Sequence, residues 1–263
     1  MYCYLDGGFG NHLLLYLTAK LISLKLNEKL EISTNIINND NLIQRNDTRT
    51  SLMQSDIIKN IEIYNKDEII FETYELEKVL QQKEIIGYFS YNTMKNNINF
   101  IKNNLINLNF NTIKKLELDE KHIVISLRLG MGENEVSSDI FSGVLQLPIK
   151  YYTDILDEYS NYTIYICSDN YTHKNIEILK QKYSNIILLD NYNTLEQYKI
   201  ILNSKIFISS NSSFSLSSIL FMKSDSKIYL PLYKDKIRQD INLEELNKKQ
   251  TFENDTRIIY KYT

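Results

Sequence analysis

The feature that most constrains the fold is a rhythm that begins at residue 122. His122–Leu127, HIVISL, is an almost unbroken apolar run, the pattern of a strand buried on both faces of a parallel sheet. Beyond it, strand-like runs and helical periodicity alternate with short connections. Pro148–Tyr159 predicts a helix, Tyr162–Cys167 a strand, His173–Tyr183 a helix and Ile186–Leu189 a strand. Thr194–Leu202 follows as a helix, Ile206–Ile208 as a strand and Phe214–Met222 as a helix. Ile228–Leu230 reads as a further strand stopped by Pro231, and Asn242–Asn247 as a helix in the tail. Repetition of this kind predicts an α/β chain with a doubly wound parallel sheet.

The first part of the chain is less regular. Tyr2–Leu5 is a short apolar run, Asp6–Asn11 a glycine-rich turn, and Leu13–Leu26 a helix with Leu13, Leu14, Leu17, Leu21 and Leu24 close to one face. Residues 27–82 alternate short apolar stretches (Leu30–Ile32, Ile57–Tyr64, Ile69–Phe71) with Asn/Asp-rich connections, of which 38–56 reads as a surface loop. Ile85–Phe89 predicts a strand and Asn92–Phe110 a helix with a linker. Charge concentrates at Leu116–Lys121, so the expected division is an N-terminal lobe, 1–118, and a C-terminal lobe, 119–263.

Composition excludes several classes. The net charge is −3 and no basic stripe is visible, which argues against a nucleic-acid partner. No apolar run approaches the ~18–20 residues that span a bilayer, which leaves at most peripheral membrane contact. The first residues lack a secretory signal pattern, and Cys3 and Cys167 lie in strand-like surroundings as buried free thiols. A reducing, cytoplasmic setting is the expectation.

With seven glycines in 263 residues, their placement is informative. Five fall in two short turns, Gly7–Gly10 and Gly130–Gly132, both candidate ligand loops because glycine serves where φ is positive or something approaches closely. Arg128, one of five arginines, stands just after the buried strand and before Gly130, poised to meet an anion bidentately or to pair with Glu133 or Glu135. The stretch Lys205–Met222 reads as strand, polar turn and helix, with five small polar residues, Ser209–Ser213, at the junction. A helix start of that kind can hold phosphate, and Ser212 or Ser213 can equally serve as its cap. A third strand end carries Ser168 and Asp169. In an open α/β sheet such ends gather along one edge, where Arg supplies charge, Asp an acceptor for a base or ribose, and the serine turn a phosphate cradle. No Asp-x-Asp, His-x-x-x-His, Cys-x-x-Cys, Walker loop or Gly-x-Ser-x-Gly elbow occurs, so the expected site is a nucleotide site without metal or further cofactor.

These residues resemble one family, the GDP-fucose-using α-1,2-fucosyltransferases of the wider fucosyltransferase superfamily. DGGFGNHLLLY at Asp6–Tyr16 is similar to that family's opening G-G-x-G-N-Q stretch, and IIGYF at Ile85–Phe89 to its G-Y motif. SLRLGM at Ser126–Met131 aligns with H-x-R-x-G-D, SDN at Ser168–Asn170 with S-D-D, and SNSSFSLSSILF at Ser210–Phe221 with S-N-S followed by F-S-W-W. The order is the family's order over nearly the whole chain. His12, Ser126, Met131 and Leu216-Ser217 stand where the family has Gln, His, Asp and a Trp pair.

The resemblance implies two Rossmann-like lobes of the glycosyltransferase-B type with a donor cleft, and an inverting transfer of fucose from GDP-fucose to a hydroxyl of a galactoside-type glycan acceptor. Arg128, Asn11 and His12 are then the candidate catalytic residues. Gly8, Gly10, Arg128, Gly130, Ser168, Asp169, Asn211, Ser212, Ser213, Phe214 and Ser215 are candidates for holding the donor. Its partners would be a nucleotide sugar and a glycan. With no metal, Arg128 and the helix start stabilise the departing diphosphate, and the acceptor attacks from the opposite face. No base stands out: Glu133, Glu135 and Asp139 read as loop carboxylates, and His12 is a further candidate. A nucleotide- or glycan-binding protein without turnover, or a transferase for another nucleotide sugar, stays open on the same residues.

Overall fold

The computed structural model describes residues 2–4, 8–33, 58–59, 66–71, 84–85, 91–107, 116–130, 146–232, 252 and 255–262. The chain divides into two units, Met1–Ile113 and Lys114–Thr263. The expected loop at 38–56, the loop carboxylates Glu133, Glu135 and Asp139 and the expected helix at 242–247 lie outside the described residues.

In the first unit three short parallel strands pair in the order β2 (Glu31–Ser33), β1 (Tyr2–Tyr4), β3 (Glu84–Ile85). The helix α1 spans Phe9–Leu26, starting four residues before the expected Leu13. The supposed glycine turn is therefore partly helix: Gly8 is the residue before it, and Gly10, Asn11 and His12 lie in its first turn. The helix is also buried all round rather than on one face, since Leu15, Tyr16 and Ile22 are as covered as Leu13, Leu17 and Leu21. It ends at Asn27, whose left-handed φ of 56° lets Asn27 N–H reach Leu24 O (3.3 Å) and Glu28 N–H reach Ser23 O (2.9 Å). The helix expected over Asn92–Phe110 is broken: α2 (Tyr91–Asn96) and α3 (Ile98–Phe100) run into a single π-turn at Ile101–Leu105. The buried amide of Asn97 sits at the break, accepting from Ile70 N–H (2.8 Å) and donating to Ile70 O (2.6 Å).

The second unit carries a six-stranded sheet built from β4 (His122–Leu127), β5 (Thr163–Ser168), β6 (Ile186–Leu188), β7 (Ile206–Ile208), β8 (Lys227–Leu232) and β9 (Ile258–Tyr262). All pairs are parallel, and the order is β6-β5-β4-β7-β8-β9. Renumbered from its own first strand, that is 3-2-1-4-5-6, the doubly wound order of a Rossmann-type sheet. The expected α/β architecture with a doubly wound parallel sheet is what the chain forms.

Alternation along β4 separates the two faces. Ile123, Ile125 and Leu127 point into a cluster with Tyr151, Tyr152, Ile155 and Leu156 of α4 (Ile149–Leu156) and Ile176 and Leu179 of α5 (Lys174–Lys182). On the opposite face Ser126 meets Ser215 of α7 (Ser213–Phe221), and α6 (Thr194–Asn203) packs on α7 with Tyr198 edge-on to Phe214. The buried serines of α7 are accommodated there because their hydroxyls have partners, Ser217 through Phe214 O, Ser218 through Ser215 O and Ser215 through Ser126. Cys3 and Cys167 are both buried and free, and burial pushes the Cys167 thiol far above its ordinary value.

Pro231 does not stop β8, which runs through it to Leu232. The register explains why. Lys227 N–H donates to Lys205 O (2.7 Å) and Tyr229 O accepts from Ser209 N–H (2.9 Å), so odd residues of β8 face β7, while Ile228 N–H faces the β9 side. The β7 ladder ends at the Ile208–Tyr229 pair. The missing N–H of Pro231 thus points beyond the end of its neighbour, where no ladder bond is lost. The edge strand β9 follows its partner along Ile228–Leu232.

His122 joins the amino edge of this sheet to its surroundings: Nδ1 bonds Asp119 O, and Nε2 accepts from Lys205 N–H (3.1 Å). Burial holds its pKa below the usual 6.5, opposed by the Asp119 carbonyl and Asp119 charge and reinforced by Lys205 and Lys223; the Tyr165 ring packs edge-on. A lowered folded-state pKa means the native protein binds the neutral ring, so the stabilisation is full above the unfolded value and is lost as pH falls below about 6.5. The urea midpoint is expected to drop between about pH 7.5 and pH 5.5, and His122→Gln to flatten that part of the profile.

Candidate functional site

In this strand order the chain leaves β4 towards β5 on one side and β7 towards β8 on the other, opening a crevice at the carboxyl ends of β4 and β7. The residues at that edge are Arg128 after β4 and Ser209–Ser213 after β7. Two of the three strand ends singled out by sequence are therefore neighbours across the switch point, and the third, Ser168-Asp169, follows the adjacent β5.

The serine turn is built as a closed circuit of hydroxyls. Ser212 donates to Ser215 (3.1 Å), Ser215 donates to Ser126 (2.7 Å), and contacts of Ser126 with Ser210 (3.2 Å) and Ser210 with Ser212 (2.9 Å) complete it. A further contact joins Ser210 to Ser215 (2.8 Å), so each of the four hydroxyls has at least two partners among the others. All four are buried. Ser212 is the cap of α7, its Oγ accepting from Ser215 N–H at 3.2 Å. The capping reading and the site reading thus coexist: these hydroxyls stiffen the turn, and Ser213, partly exposed as the first residue of α7, is where the positive end of the helix meets solvent. Ser126 stands where the resembled motif has His, and its spacing from the turn gives no hint of the contact. From the other face, Tyr152 donates to Ser126 O (3.0 Å) and Tyr151 to Tyr229 O (3.2 Å).

Arg128 pairs with Asp169; the expected partners Glu133 and Glu135 lie outside the described residues. The Asp169 carboxylate also accepts from Leu129 N–H (2.8 Å) and Gly130 N–H (3.2 Å). Asn170 secures the same turn from behind, donating to Gly130 O at 3.0 Å. Gly130 adopts φ 71°, the left-handed region that costs other residues about 1–2 kcal/mol. Gly130→Ala is accordingly expected to lower the unfolding free energy by ~1–2 kcal/mol. Gly8 provides the contrast, with φ −91° and nothing within 4 Å of an added Cβ. Gly8→Ala should change stability by less than ~0.5 kcal/mol, because the gain from a stiffer unfolded chain offsets the poorer cap. Parallel denaturant titrations check both.

Gly8, Gly10, Asn11 and His12 gather at the start of α1 in the first unit, with His12 N–H on Gly8 O at 3.0 Å. Asn211 and Phe214 lie in the turn and first helical residues beside Ser212, Asn211 buried and Phe214 against Tyr198. Among the described residues no group of three or more His, Cys, Asp or Glu is placed to hold a metal ion, and no helix is long and apolar enough to cross a membrane. A cavity of about 590 Å³ lies at the opposite, amino edge of the sheet, beside His122, Lys199, Lys205 and Lys223. It shares no residue with the Arg128 crevice, and mixed charge lines it.

No protein-family model matches the chain, and no curated protein matches it in sequence. Among solved structures, POFUT1 in complex with GDP is similar over 83% of this chain and 94% of its own, at 10% identity and a TM-score of 0.40. POFUT1 in complex with GDP-fucose gives 11% identity, 83% and 91% coverage and a TM-score of 0.37. KpsC of Thermosulfurimonas dismutans, a β Kdo 2,7 transferase, gives 14% identity, 95% and 89% coverage and a TM-score of 0.35.

Proposed function

We infer that the protein is a glycosyltransferase that moves a sugar, fucose on the motif resemblance, from a GDP-sugar to a glycan hydroxyl, with a galactoside acceptor and an α-1,2 linkage as the specific form. The observation that carries the reading is the convergence of Arg128 and the serine-capped start of α7 at the switch point of a 3-2-1-4-5-6 parallel sheet, where α/β proteins bind nucleotides. In this reading the diphosphate lies against Arg128 and the first turn of α7, and the nucleoside extends along the edge past Ser168. Gly8, Gly10, Asn11 and His12 enter on the sequence resemblance alone.

The chemistry is a displacement at the anomeric carbon. The acceptor oxygen forms the new bond, the bond from that carbon to the phosphate oxygen breaks, and GDP leaves with the electron pair. Its new negative charge is met by the guanidinium and by the positive helix end, both fixed before the reaction. Positive charge from these two sources makes a divalent ion unnecessary in this mechanism. The acceptor proton passes to a base, for which His12 and the loop carboxylates Glu133, Glu135 and Asp139 are candidates.

Incubation with GDP-fucose and lactose-type acceptors tests this directly. Release of GDP with a fucosylated product, unchanged by EDTA, is the expected result. GDP binding without release supports the binding-protein reading, and a larger thermal shift with UDP or dTDP than with GDP replaces the donor.

A further inference from the structure

The turn after β4 already holds an anion, and that anion belongs to the protein. Two successive backbone N–H groups, Leu129 and Gly130, and the Arg128 guanidinium converge on the carboxylate of Asp169. The left-handed Gly130 gives the backbone the concave shape in which consecutive amides face one point. Carboxylate and phosphate oxygens accept the same fork of donors in the same geometry. The arrangement lies at the edge where β4 and β5 end and is partly open, with the Arg128 and Asp169 side chains 29% and 27% exposed.

We propose that Leu129 N–H, Gly130 N–H and Arg128 form an oxyanion subsite for a diphosphate, and that Asp169 is its built-in competitor, displaced when the diphosphate enters. The proposal rests on the reading above that Arg128 meets the donor, and it adds the occupant and the exchange. Asp169 is tethered, so it acts at a high effective concentration, and a single negative charge restrains it less firmly than a diphosphate restrains Arg128. The apparent dissociation constant is the intrinsic one divided by the fraction of time the subsite is open, so a carboxylate that fills it about 90% of the time weakens binding about tenfold. Asn170, bound to Gly130 O, keeps the turn in shape while Asp169 moves away.

Calorimetric titration of the full chain with inorganic pyrophosphate and with GDP decides the matter, using wild type, Asp169→Asn, Asp169→Ala and Arg128→Ala. The expected result is roughly tenfold tighter pyrophosphate and GDP binding by both Asp169 variants, with at least tenfold weaker binding by Arg128→Ala. Weaker or unchanged binding by folded Asp169 variants overturns the proposal and makes Asp169 a brace for Arg128. Failure of both variants to fold overturns it in the same sense. If Arg128→Ala binds GDP as wild type does, the assignment of the nucleotide site itself is wrong, whatever the Asp169 variants do.

Discussion

Replacing Arg128 with alanine is expected to slow sugar transfer by about 10²–10³-fold, the loss of ~3–4 kcal/mol of transition-state stabilisation that removal of one preorganised donor brings. The same change should cost less than about 1 kcal/mol of stability, because partly exposed ion pairs contribute little. Asp169 keeps the Leu129 and Gly130 amides as partners when the guanidinium is gone. The separation of these two effects is the informative part. A residue that only held the turn together would lose activity and stability in step, whereas a leaving-group ligand loses activity alone. Arg128→Lys should recover a small part of the rate, since a point charge cannot grip two phosphate oxygens in one plane. Steady-state rates with GDP-fucose, beside urea unfolding of each variant, measure both quantities.

The largest expected stability effect lies at the other end of the same helix. Arg257, just before β9, donates to Ile219 O (3.2 Å) in the last turn of α7, to Met222 O (2.9 Å) at its cap and to Lys223 O (3.3 Å) just beyond. It also grips Asp255 through Nε (2.9 Å) and Nη2 (2.7 Å), and Asp255 is only 6% exposed. One guanidinium therefore caps a helix, meets the negative end of its dipole and neutralises a buried carboxylate. Arg257→Ala removes all three, and breaking its ion pair with the Asp255 carboxylate costs about 3–5 kcal/mol where such a pair is buried. A fall in the unfolding midpoint of roughly 10 °C is expected for a unit of this size. Double substitution with Asp255→Asn should restore part of the loss, since the buried carboxylate charge is then removed as well. Thermal unfolding of the two variants is the measurement, and a change of less than ~1 kcal/mol in Arg257→Ala would show that solvent, rather than this side chain, satisfies the helix end.

Much of the second unit was legible because its strands are buried on both faces. An unbroken apolar run such as His122–Leu127 or Ile206–Ile208 has one economical reading, and both strands form where that reading placed them. The edge strand Ile258–Tyr262 is harder to read because an edge is only half covered: its residues are partly or fully exposed, and Lys261 interrupts the apolar run that begins at Ile258. Pro231 misled for a reason local sequence does not contain, since whether a missing N–H matters depends on where the neighbouring strand stops. At α1 the glycines point to a turn, yet Gly10 and Asn11 lie in the helix, which starts at Phe9. The two strand ends around the crevice were named from residue type and position. What they do to one another was not visible: the hydroxyl circuit from Ser126 to Ser215 spans 89 residues, and the grip of Asp169 on the Arg128 turn spans 41. Contacts at that separation are products of the sheet order, which no short motif encodes.

The central claim is that nucleotide diphosphate binds where the strand order reverses, between Arg128 and the first turn of α7. A crystal structure of the protein with GDP tests it most directly. The account predicts diphosphate oxygens within hydrogen-bonding distance of the Arg128 guanidinium and of the backbone at Ser213, with the nucleoside along the carboxyl edge of β4 and β5. GDP seated at the amino edge of the sheet, in the cavity beside His122 and Lys205, would contradict it.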